Sequence, residues 1–207
     1  MVEALQPDAV IAAIGGKPIM LNVPGIDKKN VFEATEITSE KRISELRQKS
    51  IIIGGNMVGC ETALEIIKRC PQKDIVILEM GDRLAASMLM TYRIGVMERL
   101  NYNVIHAKDF RNITEKNEHV SYFVKMKVTE ITDDGVKAVD VETGEEKFFA
   151  DDSVIMAVGV KGSTEEAESF DQCALDFTMI GDCLEARDIE CAVNEGYNAA
   201  ISLESYL

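Results

Sequence analysis

One strand, turn, helix and strand in succession between residues 50 and 79 constrains the fold more than any other feature of this chain. The segment 51–53 is β-branched and apolar on both faces, as a central parallel strand requires. After the turn, apolar residues recur at helical spacing on one side: Cys60, Ala63, Leu64 and Ile67. "DIVILE", residues 74–79, supplies the next strand. About thirty residues is the length of one βαβ unit, which predicts a parallel sheet.

The rest of the chain extends this unit. "AASMLMTYRIGVMERL" predicts a second helix and "YNVIHA", residues 102–107, a third strand. "YFVKMKV", residues 122–128, alternates apolar and polar residues and predicts one half-exposed strand, which opens an antiparallel meander with turns at 133–135 and 143–144. "SVIMAVG" returns to a buried strand, and a helix begins near Ile189. The fold class is α/β, a doubly wound Rossmann-like parallel sheet with a β-meander.

The turn approximates the dinucleotide-binding pattern G-x-G-x-x-G. Gly54 and Gly59 hold its outer positions, and Gly55 lies between Gly54 and Asn56. Asn56 stands where the backbone comes nearest to the diphosphate, which binds at the positive end of the helix. Asparagine tolerates a left-handed backbone, so we expect the turn to survive. The Asn56 side chain still occupies volume near the phosphates, so we expect weakened or shifted dinucleotide binding. The alternative is that these glycines serve helix packing alone.

An acid at the end of the second strand supports a nucleotide site. Glu79 lies twenty residues past Gly59, where a carboxylate can accept hydrogen bonds from both ribose hydroxyls of an adenosine. The same charge repels a 2'-phosphate and favours NAD(H) over NADP(H). Arg83, four residues later, argues in the other direction. The sequence therefore predicts a small-molecule nucleotide as ligand.

Composition excludes several other functions. A net charge of -14 argues against binding to nucleic acid or to anionic lipid. No apolar run is long enough for a membrane span, and the first ten residues do not resemble a leader, so we expect a cytoplasmic protein. Five cysteines and two histidines have no metal-ligand spacing, so no metal site is predicted, and no CxxxxC dithiol is present.

Together these segments resemble a known family. "IIIGGNMVGCETALEI", "DIVILEMGDRL", "VIMAVG" and "IGDCLEARDIECAVNEGYNAA" are similar to the C-terminal nucleotide-binding region of 2-enoate reductases, 2,4-dienoyl-CoA reductases and related NADH:flavin oxidoreductases. In such proteins an NAD domain of the glutathione-reductase type is inserted into an FAD domain. The resemblance implies three parts: residues 1–45 as an FAD-domain segment and linker, 46–162 as the NAD domain, and 163–207 as a second FAD-domain segment.

The resemblance also assigns roles by position. It places Glu61 near the nicotinamide and flavin edge, although a solvent-facing glutamate is an equal alternative. It places Gly159 beside the dinucleotide, and Gly181 and Asp182 at the flavin's ribityl or diphosphate. The helix beginning near Ile189 would direct its positive end toward the flavin ring. No residue is assigned a catalytic role.

Departures from the family shape the functional hypotheses. The first FAD strand, an FMN barrel and iron-sulfur cysteines are not found in this sequence. This predicts that the chain is an excised portion or a degraded relative and is inactive alone. Its expected partners are the FAD half and the barrel domain. A homodimer through exposed apolar surface is a further expectation. The first hypothesis is that the chain holds NADH for hydride transfer to FAD. The second is a non-catalytic ADP-binding or assembly domain, as in the related trimethylamine dehydrogenase; a structural domain without ligand is the third.

Overall fold

The computed structural model describes residues 2–39, 42–101 and 118–204. The chain divides into two compact units, Met20–Gly159 and Met1–Ile19 with Val160–Leu207. Residues 20–45, which the family resemblance assigns to the first FAD-domain segment and linker, fall within the larger unit, and a strand at Val31–Glu33 belongs to its sheet. None of the described helices combines the length and hydropathy that a membrane span requires.

In the described part of the larger unit, five strands form a central parallel sheet. Its strands lie in the order β3 (Val31–Glu33), β10 (Ser153–Met156), β4 (Lys49–Ile53), β5 (Asp74–Leu78) and β6 (Val120–Phe123). The ladders are parallel throughout. β4 is a central strand of the sheet, and both of its faces are covered by other elements, which explains why Ile51 and Ile52 are completely buried.

Helices cover one face of this sheet. They are α1 (Ala34–Thr38), α2 (Met57–Arg69) and α3 (Met90–Asn101). α2 connects β4 to β5, which completes the predicted βαβ unit. Ile52, Ile77 and Ile155 from the sheet pack with Ala63 and Ile66 of α2 in one buried cluster. Burial of a side chain of this size contributes about 1.5–3 kcal/mol, so the apolar stripe of α2 fixes the helix on the sheet.

An antiparallel meander covers the other face. Its strands are β7 (Met126–Ile131), β8 (Gly135–Asp140) and β9 (Glu146–Ala150). Met126, Val128 and Val136 pack against Ile51 and Ile53 of the parallel sheet in a second buried cluster. The side chains of alternate β4 residues thus enter two different cores, as the period of two in a strand requires.

The start of the meander differs from the sequence prediction. Residues 122–128 do not form one strand: the chain breaks at Lys125, which has a φ of +60°. The residues before the break pair in parallel with β5, and those after it pair with β8. Periodicity missed this change because apolar alternation continues across the break. The predicted strand at 102–107 lies outside the described residues.

The smaller unit contains two strand pairs and two helices. β1 (Ala9–Ala12) pairs in parallel with β12 (Asp176–Met179), and β2 (Gly16–Pro18) pairs antiparallel with β11 (Val160–Gly162). The helices are α4 (Thr164–Glu168) and α5 (Ile189–Glu204). A parallel sheet with helices and antiparallel strands confirms the predicted α/β class.

Candidate nucleotide-binding site

The turn between β4 and α2 requires glycine at both outer positions. Gly54 has a φ of +103°, and a Cβ there would lie 2.4 Å from the carbonyl oxygen of Ala157. A Cβ on Gly59 would lie 1.9 Å from the carbonyl oxygen of Gly54. The first glycine makes the turn, and the last lets the helix approach the strand, as the sequence pattern predicts.

Asn56 does not adopt the left-handed conformation expected from the sequence. Its φ and ψ are -72° and -168°, an extended backbone, and it is the N-cap of α2. Its Oδ1 accepts a hydrogen bond from the Gly59 N–H at 3.1 Å, and its Nδ2 donates to the Ala157 carbonyl at 2.9 Å. The left-handed position is Gly54, so Asn56 was free to serve as an ordinary helix cap.

Three backbone donors at the start of α2 have no acceptor among the described residues: the N–H groups of Asn56, Met57 and Val58. The first turn of a helix always leaves such groups unpaired, and together with the helix dipole they favour an anion. α2 is 13 residues long and carries no acid in its first turn. A diphosphate fits this set of donors.

Glu79 points toward the turn. Its Oε2 accepts a hydrogen bond from the Gly55 N–H at 2.6 Å, and its Oε1 accepts one from the Gly81 N–H, also at 2.6 Å. A carboxylate offers about four acceptor sites, so about two remain for hydroxyl donors. The two backbone bonds fix the carboxylate beside the helix start. Sequence reasoning identified the acid but not these two donors.

Gly55 joins the turn to the loop after β5. Its carbonyl accepts a hydrogen bond from the Ala85 N–H at 2.7 Å, and a Cβ on it would lie 2.2 Å from Leu84 Cδ2. Behind the turn, burial raises the pKa of the Cys60 thiol to about 11, with a further contribution from the Glu79 charge. Cys60 therefore stays protonated at neutral pH and fills space instead of acting as a nucleophile.

Glu61 follows the turn by two residues, Arg83 follows Glu79 by four, and the two side chains have different surroundings. Glu61 Oε1 accepts a hydrogen bond from the Tyr92 hydroxyl at 2.8 Å, and this bond raises the pKa of the Tyr92 phenol. The pairing connects α2 to α3 and was not predicted. Arg83 is exposed and has no ion pair or hydrogen bond within the described part of the chain. Gly159 follows β10 with a φ of +109°.

The predicted flavin-binding residues form a separate cluster in the smaller unit. Gly181 has a φ of +65°, and its N–H donates to Glu195 Oε2 at 2.7 Å. Asp182 is half-buried in the short turn that follows β12. At the start of α5, Asp188 Oδ1 accepts from the Cys191 N–H at 2.8 Å, so an acid already occupies one donor of that helix end. No three acidic, cysteine or histidine side chains of the described residues are arranged to hold a metal.

A family model for pyridine nucleotide-disulphide oxidoreductases matches residues 2–179, most of the chain. The chain belongs to this family. Members of this family bind FAD and a pyridine nucleotide. The two cofactors expected from the sequence, NAD(H) and FAD, are therefore the cofactors of the family. All five cysteines of this chain are free thiols in the structure.

Several relatives within this family are reductases or oxidases. The chain is 29% identical over 202 residues to the NADH oxidase of Thermoanaerobacter brockii and 30% identical over 202 residues to the bilirubin reductase of Mediterraneibacter gnavus, covering 96% and 97% of this chain. In both cases it spans 28% of the relative's length. It is 27% identical over 205 residues to the cinnamate reductase of Clostridium sporogenes.

Solved structures agree with the fold. A 2-naphthoyl-CoA reductase complex with 2-naphthoyl-CoA superposes with a TM-score of 0.74 and 26% identity, covering 95% of this chain and 27% of that one. The thioredoxin reductase of T. acidophilum superposes with a TM-score of 0.70 and 22% identity, covering 95% of this chain and 65% of that one. At that identity the second match indicates the fold alone.

Proposed function

We propose that this chain is the nucleotide-binding portion of a larger flavin-dependent reductase of the enoate or dienoyl-CoA type. In that enzyme it holds NADH so that a hydride passes to FAD. The observation that carries the proposal is the Glu79 carboxylate, fixed by the Gly55 and Gly81 N–H groups next to three free donors of α2. One acid and one set of N–H groups match the ribose and the diphosphate of one ligand.

The chemistry belongs to the cofactors, since the nicotinamide supplies the hydride and the flavin accepts it. The chain's own residues bind and orient. The free N–H groups of Met57 and Val58 attract the diphosphate, and Glu79 accepts from the ribose and repels a 2'-phosphate. Gly159, Gly181 and Asp182 are further cofactor contacts by position in the family. We expect the chain alone to reduce no organic substrate.

The enoate or dienoyl-CoA type is supported by the activities for which several similar proteins are named. Bilirubin, cinnamate and 2-naphthoyl-CoA reductases act on unsaturated organic compounds, and the chain spans no more than 28% of each of these proteins. The proposed partners are the remaining FAD-binding half and a barrel domain that binds FMN and substrate. Five free thiols support a reducing compartment, and we propose the cytoplasm.

One observation favours a second function, a non-catalytic ADP-binding domain. Glu61, which the family resemblance places near the nicotinamide, is paired with Tyr92. The residues that converge on the turn therefore all serve the adenosine diphosphate half of a dinucleotide. A domain that binds only this half needs Glu79 and the donors of α2 and nothing more.

Calorimetric titration of the purified chain with NADH, NADPH and ADP tests these proposals. We expect NADH to bind more tightly than NADPH, and Glu79→Gln to weaken NADH binding about tenfold because a charge-assisted acceptor is lost. Glu165→Gln is the matched control, since Glu165 is exposed on α4 and has no partner among the described residues. Equal affinities for NADH and ADP would favour the second function. No binding of any of the three would contradict both.

A further inference from the structure

Asn56 is a residue of the turn that family resemblance does not explain. It stands where the pattern has a glycine, yet both polar atoms of its side chain are used inside the protein. Oδ1 accepts from Gly59, three residues later, and Nδ2 donates to Ala157, which is 101 residues away. The side chain therefore connects the start of α2 to the end of β10.

Its two partners are the points at which the turn is most tightly packed. The Ala157 carbonyl lies against Gly54, the residue with a left-handed backbone, and the Ala157 N–H donates to Ile53 at 2.8 Å. Gly59 lies against the carbonyl of Gly54. Both hydrogen bonds of Asn56 thus end on groups that surround Gly54, and they restrain the turn from the helix side and from the strand side.

We propose that Asn56 is a positioning residue that preorganises the diphosphate-binding turn, a proposal that rests on the proposed nucleotide function. The cap satisfies the Gly59 N–H, which leaves the donors of residues 56–58 as those available to an anion. A glycine at this position would release the Gly59 N–H but would remove both restraints on the turn. In this chain, glycine at position 56 should therefore give weaker nucleotide binding than asparagine. This is the opposite of what the volume of the Asn56 side chain suggests from the sequence.

The first test needs no ligand. Amide hydrogen exchange of Gly59 is measured by NMR in the wild type, in Asn56→Gly and in Asn56→Ser. We expect exchange about fivefold faster in the glycine variant, because the Gly59 N–H loses its side-chain acceptor there, and exchange near the wild-type rate in the serine variant, which keeps an acceptor. An unchanged rate in Asn56→Gly would overturn the proposal.

The second test is NADH affinity by calorimetry. We expect about fivefold weaker binding by Asn56→Gly and intermediate binding by Asn56→Ser, which loses only the donor to Ala157. Asn22→Gly, at an exposed loop position, is the control and should bind as the wild type does. Equal or tighter binding by Asn56→Gly would overturn the proposal. If the wild type binds no NADH, the proposed function fails, and the exchange rates still decide whether Asn56 positions the turn.

Discussion

At the scale of single residues, backbone N–H groups fix the two polar side chains of the candidate site. Glu79 accepts a hydrogen bond from the Gly55 N–H, and Asn56 accepts one from the Gly59 N–H, both within the glycine turn. Backbone donors cannot be read from residue type, since every residue except proline has one. Their direction depends on the turn geometry, which only the packed strands and helix determine.

A buried acid far from the turn gives a pH prediction. Asp151 is 5% exposed, and neither carboxylate oxygen has a partner among the described residues. Burial, with a smaller contribution from Asp152, raises its pKa from the ordinary 3.8 to about 7. Between these values the folded protein holds a proton that the unfolded chain releases. Stability therefore falls as pH rises from about 4 to about 7 and stays low above that.

We expect Asp151→Asn to remove this pH dependence and to stabilise the protein at pH 8 by about 2–4 kcal/mol, because no charge is then buried. Urea unfolding at pH 5 and pH 8 measures both effects. Asp27→Asn, at an exposed aspartate for which no partner exists in the described residues, serves as control and should change stability little. Equal losses of stability between pH 5 and pH 8 in wild type and Asp151→Asn would contradict this assignment.

At the scale of elements, the contact of α2 with β4 depends on one missing side chain. An alanine at position 59 would place its Cβ 1.9 Å from a backbone oxygen, which cannot move as a flexible side chain does. We expect Gly59→Ala to destabilise the protein by about 3 kcal/mol. Thermal or urea unfolding measures the change.

The matched substitution lies in α3. Gly95 has no atom within 4 Å of an added Cβ and lies inside a helix, so Gly95→Ala should stabilise the protein by about 0.5–1 kcal/mol. Similar effects of the two substitutions would show that helix propensity, and not the close approach of α2 to β4, governs position 59.

At the scale of the whole molecule, α5 carries an apolar stripe that none of the described residues of the smaller unit covers. Ile189, Val193, Tyr197 and Ile201 recur every four residues and are 83%, 63%, 66% and 46% exposed. The exposed stripe supports the proposal that this helix contacts the remainder of a larger enzyme.

In the isolated chain the same stripe should promote self-association. We expect the wild type to form dimers at micromolar concentrations in analytical ultracentrifugation, and Val193→Lys with Tyr197→Lys to restore the monomer because the charges cannot be buried. Lys substitutions at Asn194 and Asn198, exposed neighbours on the same helix, are the control. A monomeric wild type, or dimers unaffected by the stripe variant, would contradict this prediction.

The sequence alone determined the βαβ unit, the α/β class, the turn at residues 54–59 and the acid at the end of β5. These features are local, because β-branched runs, helical spacing and glycine requirements act over a few residues. The glycine turn and the spacing of Glu79 indicated a nucleotide, with NAD(H) favoured, and family resemblance added FAD.

Only the tertiary structure decided how these parts meet. It placed Asn56 in an extended cap bonded to Ala157, paired Glu61 with Tyr92, and divided residues 122–128 between two sheets. Each outcome depends on partners far apart in sequence, and sheet pairing is set by cross-strand contacts that a single segment does not contain. Residue types determine the helices and strands of this protein. The packing of elements that are distant in sequence determines which donors and acceptors remain for a ligand.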